Sequence, residues 1–248
     1  MKPIAAQLYT LREYIQNFQD IETTFRKLKT MGYNEVQFSG AKITDAKELK
    51  RIADATGIHV ICTHIPYEDM QNDLKKVIED HQTLGCLCAG VGSMPSEYRS
   101  AEGFHTFAKE FDQIAEELKK EGLGATYHNH RFEFEKFDGK KTGMDILLED
   151  SNTFTFMADT YWIQSGGGDV VDWIYKLRGR IQMIHFKDMM IQDNEQHYAE
   201  VMEGNLNWKG ILDACENTGI EYYIIEQDIC QRDPFESLEI SLRNLKNV

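Results

Sequence analysis

From one end of the chain to the other, short runs of β-branched and aromatic residues alternate with longer stretches whose apolar residues recur every three or four positions. Ile4 to Tyr9 reads as a strand, and Asp20 to Met31 as a helix with Ile21, Phe25 and Leu28 on one stripe, closed by Gly32. The plan then repeats. Glu35 to Ser39 is a strand, followed by a helix from Asp45 to Thr56 that carries Ala46, Leu49, Ile52 and Ala53 on one face and ends at Gly57. Ile58 to His64 with Met70 to Leu84 makes the third pair, and Ala89 to Ser93 with Ala101 to Lys120 the fourth. Gly124 to His128 opens the fifth, whose helix falls at Gly143 to Leu148 after a charged loop. Thr155 to Asp159 pairs with Val170 to Leu177, Ile181 to Lys187 with Trp208 to Asn217, and Tyr222 to Gln227 with Pro234 to Leu245. Pro234 suits a first helical turn, where its missing N–H is no loss.

Eight strand–helix units in 248 residues predict an α/β fold, a (β/α)8 TIM barrel, whose active sites sit at the C-terminal ends of the strands. Alternate side chains of such strands face the interior while the others meet the helices. If Asp159 faces inward, so do Met157 and Thr155. His185 shares its face with Met183 and Lys187, and Glu226 with Ile224 and Asp228, leaving Ile184, Phe186, Tyr223 and Ile225 outside. On the fifth strand His128 points inward with Thr126 and His130. The predicted mouth is thus lined by His, Asp, His, Lys and Glu.

Composition narrows the field. No Pro/Gly/Ser-rich linker divides the chain, and 42% hydrophobic content suffices for one substantial core, so residues 1–248 are expected to form one domain. A net charge of −14 and a pI near 5.0, with no basic cluster opposing them, speak against nucleic acid as a partner. The N-terminus runs into Gln7-Leu-Tyr-Thr10 without a signal-peptide stretch, and no apolar run approaches the ~18 residues of a membrane span, so a soluble cytoplasmic protein is expected. Five cysteines, Cys62, Cys86, Cys88, Cys215 and Cys230, have no paired zinc spacing and read as reduced, mostly buried thiols.

Neutral imidazoles and carboxylates crowded at one mouth suit a divalent ion such as Mn, Zn, Co or Mg, because carboxylates that close would otherwise repel one another and take up protons. A lone inward histidine is more often hydrogen-bonded structure than a ligand. An inward Asp or Glu is less easily dismissed, since buried charge without a partner is costly. A set of two histidines, one Asp and one Glu can polarise a carbonyl and acidify a bound hydroxyl, as sugar isomerisation and dehydration require.

Gln7-Leu-Tyr-Thr-Leu-Arg12, Tyr127-His-Asn-His130, Asp159-Thr-Tyr-Trp162 with Gly167-Gly-Asp169, His185-Phe-Lys-Asp188, Glu203-Gly-Asn-Leu-Asn-Trp208 and Glu226-Gln-Asp228 together resemble the sugar phosphate isomerase/epimerase family of xylose isomerase-like TIM barrels. The resemblance runs nearly end to end and is strongest from Tyr127 onward. It implies one divalent metal ion held by His128, Asp159, His185 and Glu226, with His130 as the alternative ligand on strand five. It also implies a small carbohydrate substrate. Family members commonly place a glutamate where His128 stands, and the ketose epimerases use glutamates on strands five and eight to exchange protons on opposite faces of the substrate. Histidine there resembles the inosose dehydratase branch, and Trp162 stands where the epimerases carry a substrate-contacting histidine.

Glu226 and Lys187 are candidate catalytic residues, Lys187 either holding an enolate oxygen or phosphate or reaching solvent. Glu133 has three readings: base, substrate contact or surface charge. Gln7, His64, His130 and Trp162 are assigned to substrate, although His64 could serve only backbone and Trp162 only the core. Gly166-Gly-Gly168 before Asp169 reads as a turn, because that carboxylate would repel phosphate. The expected activity is a metal-dependent sugar isomerase or epimerase, with dehydration of a keto-polyol such as an inosose as the alternative and a non-catalytic sugar-binding barrel as a third class. A homo-oligomer stays open.

Overall fold

A computed structural model describes residues 2–137 and 139–248. Eight parallel strands close into a barrel: β1 (Ile4–Gln7), β2 (Glu35–Phe38), β3 (His59–Ile65), β4 (Cys88–Val91), β5 (Gly124–His128), β6 (Thr155–Asp159), β7 (Ile181–Phe186) and β8 (Tyr222–Ile225). β8 pairs with β1, Ile4 lying opposite Tyr223, which leaves no free edge. Outside run α1 (Phe18–Met31), α2 (Ala46–Thr56), α3 (Leu74–Leu84), α4 (Ala101–Lys120), α5 (Gly143–Glu149), α6 (Val170–Lys176), α7 (Trp208–Thr218) and α8 (Pro234–Lys246).

The alternation of side chains separates two apolar layers. Ala5, Ile61, Cys62, Cys88, Met157, Met183 and Ile224 fill the barrel, whereas Ile184, Phe186, Tyr223 and Ile225 join Phe25, Phe107 and Phe156 between sheet and helices. The parities expected for β6, β7 and β8 therefore hold. Each large apolar side chain buried in these layers contributes roughly 1.5–3 kcal/mol. Gly32 and Gly57 close α1 and α2 in the left-handed region, with φ of 100° and 67°, as the sequence suggested. Cys62, Cys86, Cys88 and Cys215 are free and buried, and Cys230 is partly so. No described helix is long and apolar enough to cross a membrane.

The departures from expectation lie where side chains cap the backbone. β1 stops at Gln7, whose side chain accepts from Tyr9 N–H and starts a 3-10 turn over Leu8–Tyr14. The single helix expected from Met70 to Leu84 is two, Tyr67–Asn72 and α3, because Asp73 leaves helical geometry and caps Lys76 N–H. Asp159 likewise caps Trp162 N–H and starts an unexpected helix, Thr160–Ser165. Two hairpins, Lys136–Phe137 with Lys141–Thr142 and Asp188–Gln192 with Glu195–Ala199, were not expected either.

Candidate active site

His128, Asp159, His185 and Glu226, from the C-terminal ends of β5, β6, β7 and β8, each offer a ligand atom, and these atoms lie within 4.8 Å of one another. All four side chains are buried. Each imidazole is oriented from behind. The Nδ1–H of His128 donates to the Gly92 carbonyl at 3.0 Å, which turns Nε2 toward Asp159 Oδ2, 3.2 Å away. The Nε2–H of His185 donates to Gln37 Oε1 at 2.6 Å, turning Nδ1 toward Glu226 Oε2 at 2.9 Å. Gln37 keeps its carbonyl oxygen toward His185 because its amide nitrogen faces Cys62 Sγ and Met157 Sδ. With the far N–H groups committed, the near lone pairs confront carboxylates, an arrangement that requires a proton or a cation between them.

Lys187 does not reach solvent. Its ammonium is fully buried, 3.0 Å from Asp159 Oδ2, 2.8 Å from Glu226 Oε2 and 2.6 Å from Asp228 Oδ2. Burial alone would lower its pKa, but Asp159, Glu226 and Asp228 outweigh that and hold it well above the lysine range. Burial pushes Asp159 and Glu226 upward. The Lys187 ammonium, helped by His128 and His185 at Asp159 and chiefly by His185 at Glu226, overcomes it and holds both well below the carboxylate range. Burial lowers His185 and is outweighed by Glu226 and Asp159, leaving it raised. With both imidazoles neutral, as they must be to serve as ligands, three carboxylates against one ammonium leave two negative charges for a cation to compensate. A divalent cation fits that deficit in charge and in donor type.

The sequence model for xylose isomerase-like TIM barrels matches residues 25–248. The chain belongs to that family. An inosose dehydratase from Lacticaseibacillus casei is 21% identical, over 87% of this chain and 85% of its own length. A sugar phosphate isomerase/epimerase from Parabacteroides distasonis ATCC 8503 superposes with a TM-score of 0.81 at 25% identity, covering 99% of this chain and 93% of that one. A probable 3-DHS dehydratase from Bacillus anthracis superposes at 0.74 with 15% identity, over 100% and 99% of the two chains.

In this member of the family the other polar side chains around the cluster are neutral. His64, His130 and Trp162 each present a buried polar atom without a hydrogen-bond partner: Nε2, Nδ1 and Nε1 respectively. Burial, with His128 and His185 adding to it, holds His64 well below the histidine range; burial with His128 and Lys187 lowers His130 to about 3. The Trp162 ring lies 5.3 Å from His130, and the Lys187 ammonium lies 5.4 Å from the ring centroid. Gln7 is buried beside them, its Nε2 3.4 Å from His64 Nδ1.

Glu133 departs from all three of its expected roles. It is neither surface charge nor mouth residue: fully buried, it accepts from the Tyr127 hydroxyl at 2.7 Å and from His130 N–H at 2.9 Å. Tyr127 alternates with inward-facing Thr126 and His128, so Glu133 sits on the helix side of β5 and anchors the His130 backbone. Other parts escaped the sequence reading. Gln37 carried a signal, since it is a polar residue on the inward parity of β2. Asn129, which accepts Asp159 N–H at 3.0 Å, stood in the Tyr127-His-Asn-His130 motif without an assigned role, and Tyr198, 6.1 Å from Trp162 on an unforeseen hairpin, carried no signal. Asp188 accepts from the backbone N–H groups of Met189, Met202, Gly204 and Leu206 and from the Trp208 indole. That explains why His185-Phe-Lys-Asp188 and Glu203-Gly-Asn-Leu-Asn-Trp208 occur together.

Proposed function

We propose that this protein is a metal-dependent enzyme that removes a proton next to the carbonyl of a sugar derivative, with isomerisation as the outcome. The observation that carries the reading is the convergence of ligand atoms from His128, Asp159, His185 and Glu226, all buried and within 4.8 Å of one another. These four residues would hold one divalent ion, which supplies Lewis acidity toward a carbonyl and its neighbouring hydroxyl. Glu226 or its neighbour Asp228 receives the substrate proton. The Lys187 ammonium, preorganised in a dry site, stabilises the negative charge that develops on the enolate oxygen. His64, His130 and Trp162 meet oxygen atoms of the substrate with their unpaired polar atoms.

The strand ends are chemically unequal, and that asymmetry bears on stereochemistry. Every carboxylate named at the mouth belongs to β6, β8 or the turn after β8. The ends of β3 and β5 offer imidazoles instead, and His130, whose conjugate acid is lowered to about 3, accepts protons poorly at neutral pH. Glu133 is not available as a second base, because it is buried behind β5. Proton exchange on one face suits aldose–ketose isomerisation better than two-base epimerisation. Loss of water is the second reading, favoured by His128 in the strand-five position and by the inosose dehydratase relative.

Keto-sugars and inososes incubated in deuterated water with metal-loaded protein decide between these outcomes by mass and NMR. An isomer with no loss of water is expected, part of it carrying the original hydrogen transferred within the molecule and the rest one solvent deuterium on carbon. A product lighter by one water establishes the lyase. A clean epimer carrying full solvent deuterium overturns the one-base scheme.

A further inference from the structure

Beside the mouth, sharing His64 with it, lies a cleft of about 660 Å³ between the loop after β2 (40–43) and the two helices Tyr67–Asn72 and α3. Ala41, Ile43, Ile65, Pro66 and Val77 make its walls apolar. Its charged groups are Asp69, Asp73 and Asp80 against Lys42 and Lys76, an acidic balance, and Lys76 is already committed to Asp80 at 2.8 Å. This volume lies within the range of about 300–1,000 Å³ that small-molecule sites occupy. None of the four candidate metal ligands lines it.

His64 joins the cleft to the cluster. It lines the cleft, and its ring centroid stands 5.2 Å from that of His128 and 5.5 Å from that of His185. A Cβ at Gly90 or Gly92 would come within 2.9 or 3.0 Å of the His64 ring, so bare backbone at the end of β4 is what lets the imidazole lie there. Tyr9 N–H donates to Gln7 Oε1, which leaves the Gln7 amide nitrogen facing His64 Nδ1 as donor. Nδ1 must then accept, and the proton resides on Nε2, the atom left buried and unpaired. A neutral N–H donor without an acceptor thus stands where mouth and cleft meet.

We propose that the substrate is larger than one sugar ring: its carbonyl end lies at the cluster, and an uncharged aryl or alkyl group, joined to the ring through oxygen, fills the cleft. His64 Nε2–H donates to the linking oxygen. The apolar walls favour the substituent, and the acidic rim disfavours a phosphate in the same place. The inference rests on the proposed function only in seating the sugar ring at the cluster.

Calorimetric titration of the Mn²⁺-loaded protein with phenyl β-D-glucopyranoside, methyl β-D-glucopyranoside and α-D-glucose 1-phosphate, unreactive analogues that present a ring hydroxyl in place of the carbonyl, tests it. Phenyl glucoside is expected to bind about tenfold or more tightly than methyl glucoside, from burial of the ring, and the phosphate most weakly. Ala41→Trp and Val77→Trp, which fill the cleft from opposite walls, should bring phenyl down to methyl while leaving methyl glucoside and Mn²⁺ affinities unchanged. If Val77→Trp does not fold, Ala41→Trp decides alone. Equal affinity for phenyl and methyl glucosides, or a phenyl advantage that survives Ala41→Trp, overturns the proposal. Titration with Mn²⁺ alone reads the ligand set separately, so failed metal binding counts against the proposed function, and intact metal binding without phenyl preference against the cleft only.

Discussion

Lys187 bears the heaviest electrostatic duty of any single residue, because one buried ammonium neutralises part of three carboxylates. Lys187→Ala should reduce turnover by about 10²-fold or more, the expectation for loss of one preorganised charged group. An unchanged rate in metal-replete variant would remove it from the chemistry. Removing one partner of a buried ion pair also costs about 3–5 kcal/mol, so the metal-free variant should melt well below wild type, with Mn²⁺ restoring much of the difference. Glu226→Gln is expected to abolish turnover and weaken metal binding, which makes metal content the necessary companion measurement. Glu133 tests a different property. Burial raises its pKa from 4.5 to about 7, so the folded protein holds this proton more tightly than the unfolded chain. The associated stability is present in full below the unfolded value of 4.5 and is lost as pH rises through about 7. Over that window wild type should lose on the order of 3 kcal/mol relative to Glu133→Gln, a figure from the size of the shift. Denaturant unfolding at several pH values measures it, and parallel profiles for the two proteins would refute the assignment.

Among the elements, the loop between the second hairpin and α7 depends on one carboxylate with five donors, four backbone N–H groups and the Trp208 indole. Asp188→Asn replaces one acceptor oxygen by a donor facing donors, and a loss of about 3 kcal/mol is expected, each unsatisfied buried group costing roughly 1–3 kcal/mol. Gly204→Ala acts by space: the new Cβ would lie 2.5 Å from Asp188 Oδ1 and Met189 O. Faster hydrogen exchange over 200–208 should mark both variants, and native-like protection in either would contradict the anchoring role. The strand–helix units themselves were legible because a two-residue period and a 3.6-residue period leave different marks on a sequence. Short elements left fainter ones. Asp73 and Asp159 act as caps through geometry that a periodic pattern does not encode, so the split helix and the helix carrying Trp162 emerged only in three dimensions.

At the scale of the molecule, closing the barrel brings β5, β6, β7 and β8 side by side, since sheet order follows β5, β6, β7, β8 and then β1. A ligand bound across four strands therefore ties the barrel together. Chelation of the metal should lower unfolding free energy by about 3 kcal/mol relative to protein held at a hundredfold excess over Kd, and a melting curve indifferent to chelator would argue against a bound ion. Sequence alone determined the eight-unit alternation, the inward parity of Asp159, His185 and Glu226, and the family resemblance, because each depends on the order and spacing of residues along the chain. Tertiary structure alone decided which backbone carbonyl and which glutamine orient the two imidazoles, that the inward Lys187 meets three carboxylates and not solvent, and that Glu133 lies behind β5 instead of in the mouth. Those outcomes depend on contacts between residues far apart in sequence, such as Gln37 with His185. A local pattern contains no distance between them, and the closed sheet supplies it.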